Sequence, residues 1–112
     1  MLATSPSPLP PFCVRVVRER GEIVVAPAGE LDIASAAVLE REIHGLRVTR
    51  GDRVVIDLRG VDFLDSTGLR LLISLRNSAK RGGYGLIVAP GPARVQRVFE
   101  LTGTRGLFDW RA

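Results

Sequence analysis

Val54, Val55 and Ile56, with Leu58 two positions beyond, form a short, almost unbroken apolar run rich in β-branched residues. A strand with one wet face alternates apolar and polar residues, so a run without that alternation predicts a strand buried on both faces of a sheet. Gly60 closes it. After a short link, Leu69, Leu72, Leu75 and Ala79 recur three or four residues apart, while Arg70, Ser74, Asn77 and Arg81 gather opposite, which predicts an amphipathic helix. The segment Arg53 to Arg81 is therefore a strand–turn–helix unit, and the rest of the chain must supply partners for its strand.

Asp65, Ser66, Thr67 and Gly68 lie between the two elements. Short polar residues there satisfy the unpaired N–H groups of a helix's first turn. Either Asp65 or Ser66 serves as the cap, and neither Leu69 nor Arg70 supplies the acid of a capping box. A helix N-terminus carries about half a positive charge and free backbone donors, so a phosphate on Ser66 is compatible with the helix.

The flanking segments read in the same way. Met1 to Pro11 is rich in proline, Ser, Thr and Ala and is expected to be a disordered tail, with one folded domain over residues 12–112. Phe12 to Val17 and Glu22 to Ala26 are β-prone runs joined by a hairpin loop. Gly29, Glu30, Leu31 and Asp32 are expected to form a turn, with Asp32 capping a helix marked by Ala36, Leu39, Ile43 and Leu46. His44 falls on the wet side of that helix. Gly82 and Gly83 stop the second helix, Tyr84 to Ala89 reads as a strand, and Pro92 opens a third helix with Val95, Val98 and Phe99 inward, ended by Gly103. Leu107 to Trp110 is a short apolar end that docks on the core.

The order β-β-α-β-α-β-α predicts an α/β fold with a mixed sheet of four to five strands under amphipathic helices, linked by right-handed crossovers after the hairpin. Val54, Ile56, Leu72, Leu86 and Val88 are its expected core. In such sheets functional loops gather at the strands' carboxyl ends, which selects the Gly29–Asp32 and Asp65–Gly68 turns.

Composition narrows the function. At 112 residues the chain is one domain, and no apolar run approaches the roughly 20 residues that cross a bilayer. The N-terminus lacks the basic start and apolar centre of a signal peptide, so a cytoplasmic location is expected. One cysteine and one histidine are too few for an internal disulfide or a Cys/His metal site, and no cofactor is expected. Cys13, in an apolar stretch, is expected to be buried and inert. The charge of +4 is spread from Arg15 to Arg111 without an aromatic-lined or basic recognition motif, which argues against direct nucleic-acid binding. Ser66 lacks the Gly-x-Ser-x-Gly setting of a nucleophile and its histidine, so catalysis is not expected. Gly82–Gly85 leads into a strand, unlike a phosphate-cradling loop, and is read as a turn.

Three segments together resemble the STAS domains, and within them the bacterial anti-sigma factor antagonists. They are Gly29-Glu30-Leu31-Asp32; Val54-Val55-Ile56-Asp57-Leu58 leading to Phe63-Leu64-Asp65-Ser66-Thr67-Gly68-Leu69; and Val98-Phe99-Glu100-Leu101-Thr102-Gly103. The resemblance implies a STAS fold over most of Phe12 to Phe108 and a phosphoprotein of transcription regulation. Ser66 matches the family's phosphorylated serine, Thr67 the residue after it, and Asp32 the first-loop aspartate beside the site. It further implies partner switching: the unphosphorylated form binds an anti-sigma factor that is also a GHKL-type serine kinase and frees a sigma factor. Phosphorylation reverses this, and a PP2C-type phosphatase resets it. Asp32, Asp65, Ser66, Thr67, Gly68, Leu69 and Arg70 are the partner-binding residues so implied. Small STAS proteins that dock on the ATPase of an ABC transport complex are the alternative. Two features depart from the family pattern: Arg70 stands where many members have glycine, and Ala112 follows soon after Trp110, where many members continue into another helix.

Overall fold

Arg20 and Gly21, with φ of 51° and 74°, make a two-residue turn between β1 (Cys13–Glu19) and β2 (Glu22–Leu31). The remaining elements are α1 (Ile33–His44), β3 (Arg53–Asp57), β4 (Val61–Leu64), α2 (Ser66–Gly82), β5 (Gly85–Ala89), α3 (Ala93–Thr102), a 3₁₀ turn at Arg105–Leu107 and β6 (Asp109–Trp110). This computed structural model describes residues 12–111; the Met1–Pro11 tail expected from the sequence lies outside the described residues.

The strands form one mixed sheet in the order β1-β2-β3-β5-β6, with β4 paired to β2. Among the described residues only β1 and β2 are antiparallel. Alternation along the strands turns Ile23, Val25, Val54, Ile56 and Val88 toward the helices, where they join Leu39, Leu72, Leu75, Val95 and Phe99 in the core. Leu86 packs at its margin, half-buried. His44 is exposed, as its place on the helix required.

Three expectations need correction. Among the described residues the sheet has six strands; β4 and β6 are too short to read from periodicity. Gly29, Glu30 and Leu31 belong to β2 and are not a turn. There β2 changes partner: Ile23–Val25 lie beside Val54–Ile56, whereas Gly29–Leu31 lie beside Val61–Leu64. Pro27 falls in the gap between the two pairings, where its missing N–H costs nothing. Gly29 takes φ of 111° at the register shift and donates its N–H to Gly60 O at 2.9 Å, a conformation that L side chains avoid. Cys13 is exposed, because β1 is an edge strand among the described residues and Cys13 faces away from the helices. The reading of β3 as buried on both faces holds: Val55 is only 1% exposed, although neither it nor Val24 nor Ile87 belongs to the helix-side cluster.

The break between β3 and β4 is locked by charge. Arg59 donates from Nε to Asp57 Oδ1 at 3.0 Å, from its terminal nitrogen to Oδ2 at 2.8 Å and from its backbone N–H to Oδ1 at 3.1 Å. These bonds, the side-chain ones above all, hold the Asp57 carboxyl below the usual carboxylate range against the opposing effect of burial. At the chain's other end, Phe108 and Trp110 meet the Phe99 ring edge-on, at 5.5 and 4.9 Å between centroids. The expected docking of the apolar end holds for these two rings but not for Leu107, which stays exposed.

Candidate functional site

The parallel register pairs Leu31 with Leu64, the last residues of β2 and β4. Asp32 and Asp65 follow them directly, and each is the N-cap of the next helix. Neighbouring strands lie about 4.8 Å apart, so the two helices start side by side at the carboxyl end of the sheet. Asp65 N–H donates to Leu31 O at 3.3 Å and ties the two loops together.

Asp32 is committed to its own helix. Its Oδ1 accepts from Ala34 N–H at 3.0 Å and Ser35 N–H at 3.1 Å, while Asp32 N–H donates to Ser35 Oγ at 2.9 Å, a complete capping box. The Ser35 N–H foremost, with Ser35 Oγ and Ala34 N–H in support, keeps this carboxyl below its ordinary value. Asp65 Oδ1 accepts from Gly68 N–H at 3.0 Å, so Asp65 rather than Ser66 is the cap of α2.

Ser66 is thereby the first residue of α2, exposed, and its hydroxyl makes no hydrogen bond among the described residues. Arg70, one helical turn on, is exposed and free of ion pairs among the described residues. Positions i and i+4 share a helix face, so the guanidinium and the hydroxyl face solvent together. Thr67 is half-buried. Gly68 and Leu69, read above as partner contacts, are buried. A Cβ on Gly68 would lie 2.6 Å from Leu31 O, 2.7 Å from Leu64 Cδ1 and 2.9 Å from Leu31 Cγ. Only glycine lets the first turn of α2 sit this close to the strand ends.

Sequence reasoning did not single out two apolar side chains at this corner. Ile33, the first residue of α1, is 75% exposed, and Phe63, beside Glu30 in the register, is 49% exposed. The signal was present for Ile33, an isoleucine directly after a capping aspartate and ahead of the helix's inward stripe. An open groove of about 730 Å³ adjoins the corner, lined by Asp32, Ala34, Ser35, Glu30, Asp62 and Arg94 among others. Arg94 closes one side by donating from Nε to Asp62 O at 2.6 Å, which also fastens α3 to β4. Among the described residues no group of His, Cys, Asp and Glu is placed to hold a metal ion, and no helix is long and apolar enough to cross a membrane.

Comparison with known proteins agrees with this architecture. Residues 14–111 match the STAS domain family. The anti-sigma-B factor antagonist of Bacillus subtilis (strain 168) is 32% identical over 96 residues, which span 86% of this chain and 87% of that protein. The crystal structure of an anti-sigma factor antagonist from Mycobacterium paratuberculosis superposes with a TM-score of 0.74 at 30% identity, over 89% of this chain and 85% of that one. The anti-sigma factor antagonist SpoIIAA, in its unphosphorylated form, shares the fold with a TM-score of 0.69 at 19% identity, over 91% and 89% of the two chains. The chain belongs to the STAS domain family and stands, within it, among the relatives of the anti-sigma factor antagonists.

Proposed function

We propose that this chain is an anti-sigma factor antagonist that works as a non-catalytic partner switch, with Ser66 as the residue whose phosphorylation sets its state. Unphosphorylated, it binds an anti-sigma factor that is also a GHKL-type serine kinase, and a sigma factor is released. Phosphorylation of Ser66 ends that binding, and a PP2C-type phosphatase restores it. The observation that carries this reading is the Ser66 hydroxyl, exposed at the first turn of α2 and without a hydrogen bond among the described residues. It lies in a chain 32% identical to an anti-sigma-B factor antagonist.

The chemistry of the corner supports a switch. A phosphate brings about −1.5 to −2 charges at pH 7 to a surface that already holds Asp32 and Asp65 and exposes Ile33 and Phe63. A partner that covers Ile33 and Phe63 must strip water from that charge. A 100-fold loss of affinity corresponds to about 2.7 kcal/mol, within what one desolvated, unpaired charge costs. The fold itself tolerates the phosphate, since the free N–H groups of α2 favour an anion and Arg70 stands one turn away.

Incubation with ATP and the cognate anti-sigma kinase tests the assignment. Wild type is expected to take up one phosphate and Ser66→Ala none. Equal uptake by the two, or co-purification with a transport ATPase and no kinase, would overturn it.

A further inference from the structure

We infer that β1 is a self-association edge, through which two copies of this chain pair antiparallel with Val17 on the twofold axis. This goes beyond the switch and does not depend on Ser66. Among the described residues β1 is paired to β2 alone, and every residue of it except Val14 is exposed. The two-residue turn makes Glu19 and Glu22 the closing hydrogen-bonded pair. Counting back, Cys13, Arg15, Val17 and Glu19 direct their N–H and C=O groups to β2, and Val14, Val16 and Arg18 direct theirs outward. That outer row is an unfilled template for another strand.

The charges select what fills it. Glu19 stands directly opposite Glu22, a like-charge pair inside the hairpin. Arg111 relieves only one member, donating to Glu22 Oε2 at 2.7 Å and to Oε1 at 3.2 Å. Among the described residues Glu19 and Arg15 have no ion-pair partner. A twofold axis normal to the sheet keeps the faces matched only where some residue lies opposite its own copy. Centred on Arg15 or Arg18, that axis brings arginine against arginine. Centred on Val16, it leaves Arg15 opposite Val17. Centred on Val17, it sets Arg15 of each copy opposite Glu19 of the other, twice, and sets Val16 opposite Arg18, whose outward N–H and C=O groups meet. Val17 is 46% exposed and shares its row with Val24, Val55 and Ile87, so the apolar strip of the helix-free face runs on across the axis. Ser66 lies outside the paired rows, beyond the Cys13 end of β1.

A single-strand edge is small beside a standard interface of about 1,600 Å², so the dimer is weak and concentration-dependent. Cross-linking and charge exchange test it in the full chain with Cys13→Ala. Val17→Cys occupies a non-hydrogen-bonded pair, with Cα atoms about 4.5 Å apart, and should form a disulfide dimer readily under oxidised glutathione, whereas Val16→Cys, facing Arg18, should not. In sedimentation equilibrium Arg15→Glu or Glu19→Arg alone should weaken the dimer about tenfold, and the two together should restore it. Three outcomes overturn the proposal: a wild-type chain monomeric into the millimolar range, a double variant no tighter than the single ones, or Val16→Cys linking as fast as Val17→Cys.

Discussion

Replacing Gly68 by alanine sets two effects of opposite sign against each other. Helix propensity favours alanine over glycine by about 0.5–1 kcal/mol, so a helix free of tertiary constraint would gain stability. Here the added Cβ meets Leu31 O at 2.6 Å and Leu64 Cδ1 at 2.7 Å. Leu64 has rotamers to try, but Leu31 O is backbone at the end of a paired strand and is fixed by accepting Asp65 N–H. Overpacking of this kind costs about 1–3 kcal/mol, toward the top of the range where backbone must yield. The net expectation is a loss of about 1–2 kcal/mol, or roughly 5–15 °C in Tm for a domain of this size. Urea and thermal unfolding followed by circular dichroism measure it. A Gly68→Ala protein as stable as wild type, or more so, would refute the view that α2 is seated on the ends of β2 and β4, and with it the juxtaposition of Asp32 and Ser66.

The other predictions concern charge. Ser66→Asp should abolish detectable kinase binding while shifting stability by less than about 1 kcal/mol, since an acid at a helix start is favourable; an unfolded variant would make the site structural. Asp32→Ala removes a filled capping box and should cost about 1–2 kcal/mol, whereas Asp32→Asn keeps the acceptor and should fold nearly as well, so that any binding defect of the Asn variant isolates the charge. Melting and pull-down run side by side give the answer, and equal destabilisation by both variants would contradict the capping geometry. Arg59→Ala should lower stability at pH 7, by less than the loss of a buried ion pair would because the guanidinium is mostly exposed and screened by solvent. Asp57 is held below its ordinary pKa, so the pair contributes above about pH 4 and its contribution vanishes as pH falls through the lowered folded value. The two stability curves should converge as the pH falls through the lowered folded value of Asp57, and a gap that stays constant throughout the acid limb would rule the ion pair out as its source.

Much of this molecule was legible in the chain because the signals are local. The unbroken run at Val54–Leu58, the stripe Leu69–Leu72–Leu75–Ala79 and the capping Asp32 each follow from a few neighbouring residues, and the structure bears all three out. The exposure of Ser66 was legible only as a position on a helix start; that Asp65 takes the cap and leaves the hydroxyl unbonded required the backbone geometry. The exit of β2 from one partner to the next, the four-residue strand after Gly60 and the outward turn of Cys13 had no periodicity to betray them. Each depends on which strand lies alongside, a contact between residues fifteen to some thirty positions apart. Composition and pattern alone determined that the chain builds an α/β sheet and starts a helix at the Ser66 motif, because hydrophobic period and capping chemistry act within one or two turns. Only the tertiary structure decided that two helix starts share a corner with Ile33 and Phe63 exposed beside them, because strand register, which joins distant segments, sets which loops become neighbours.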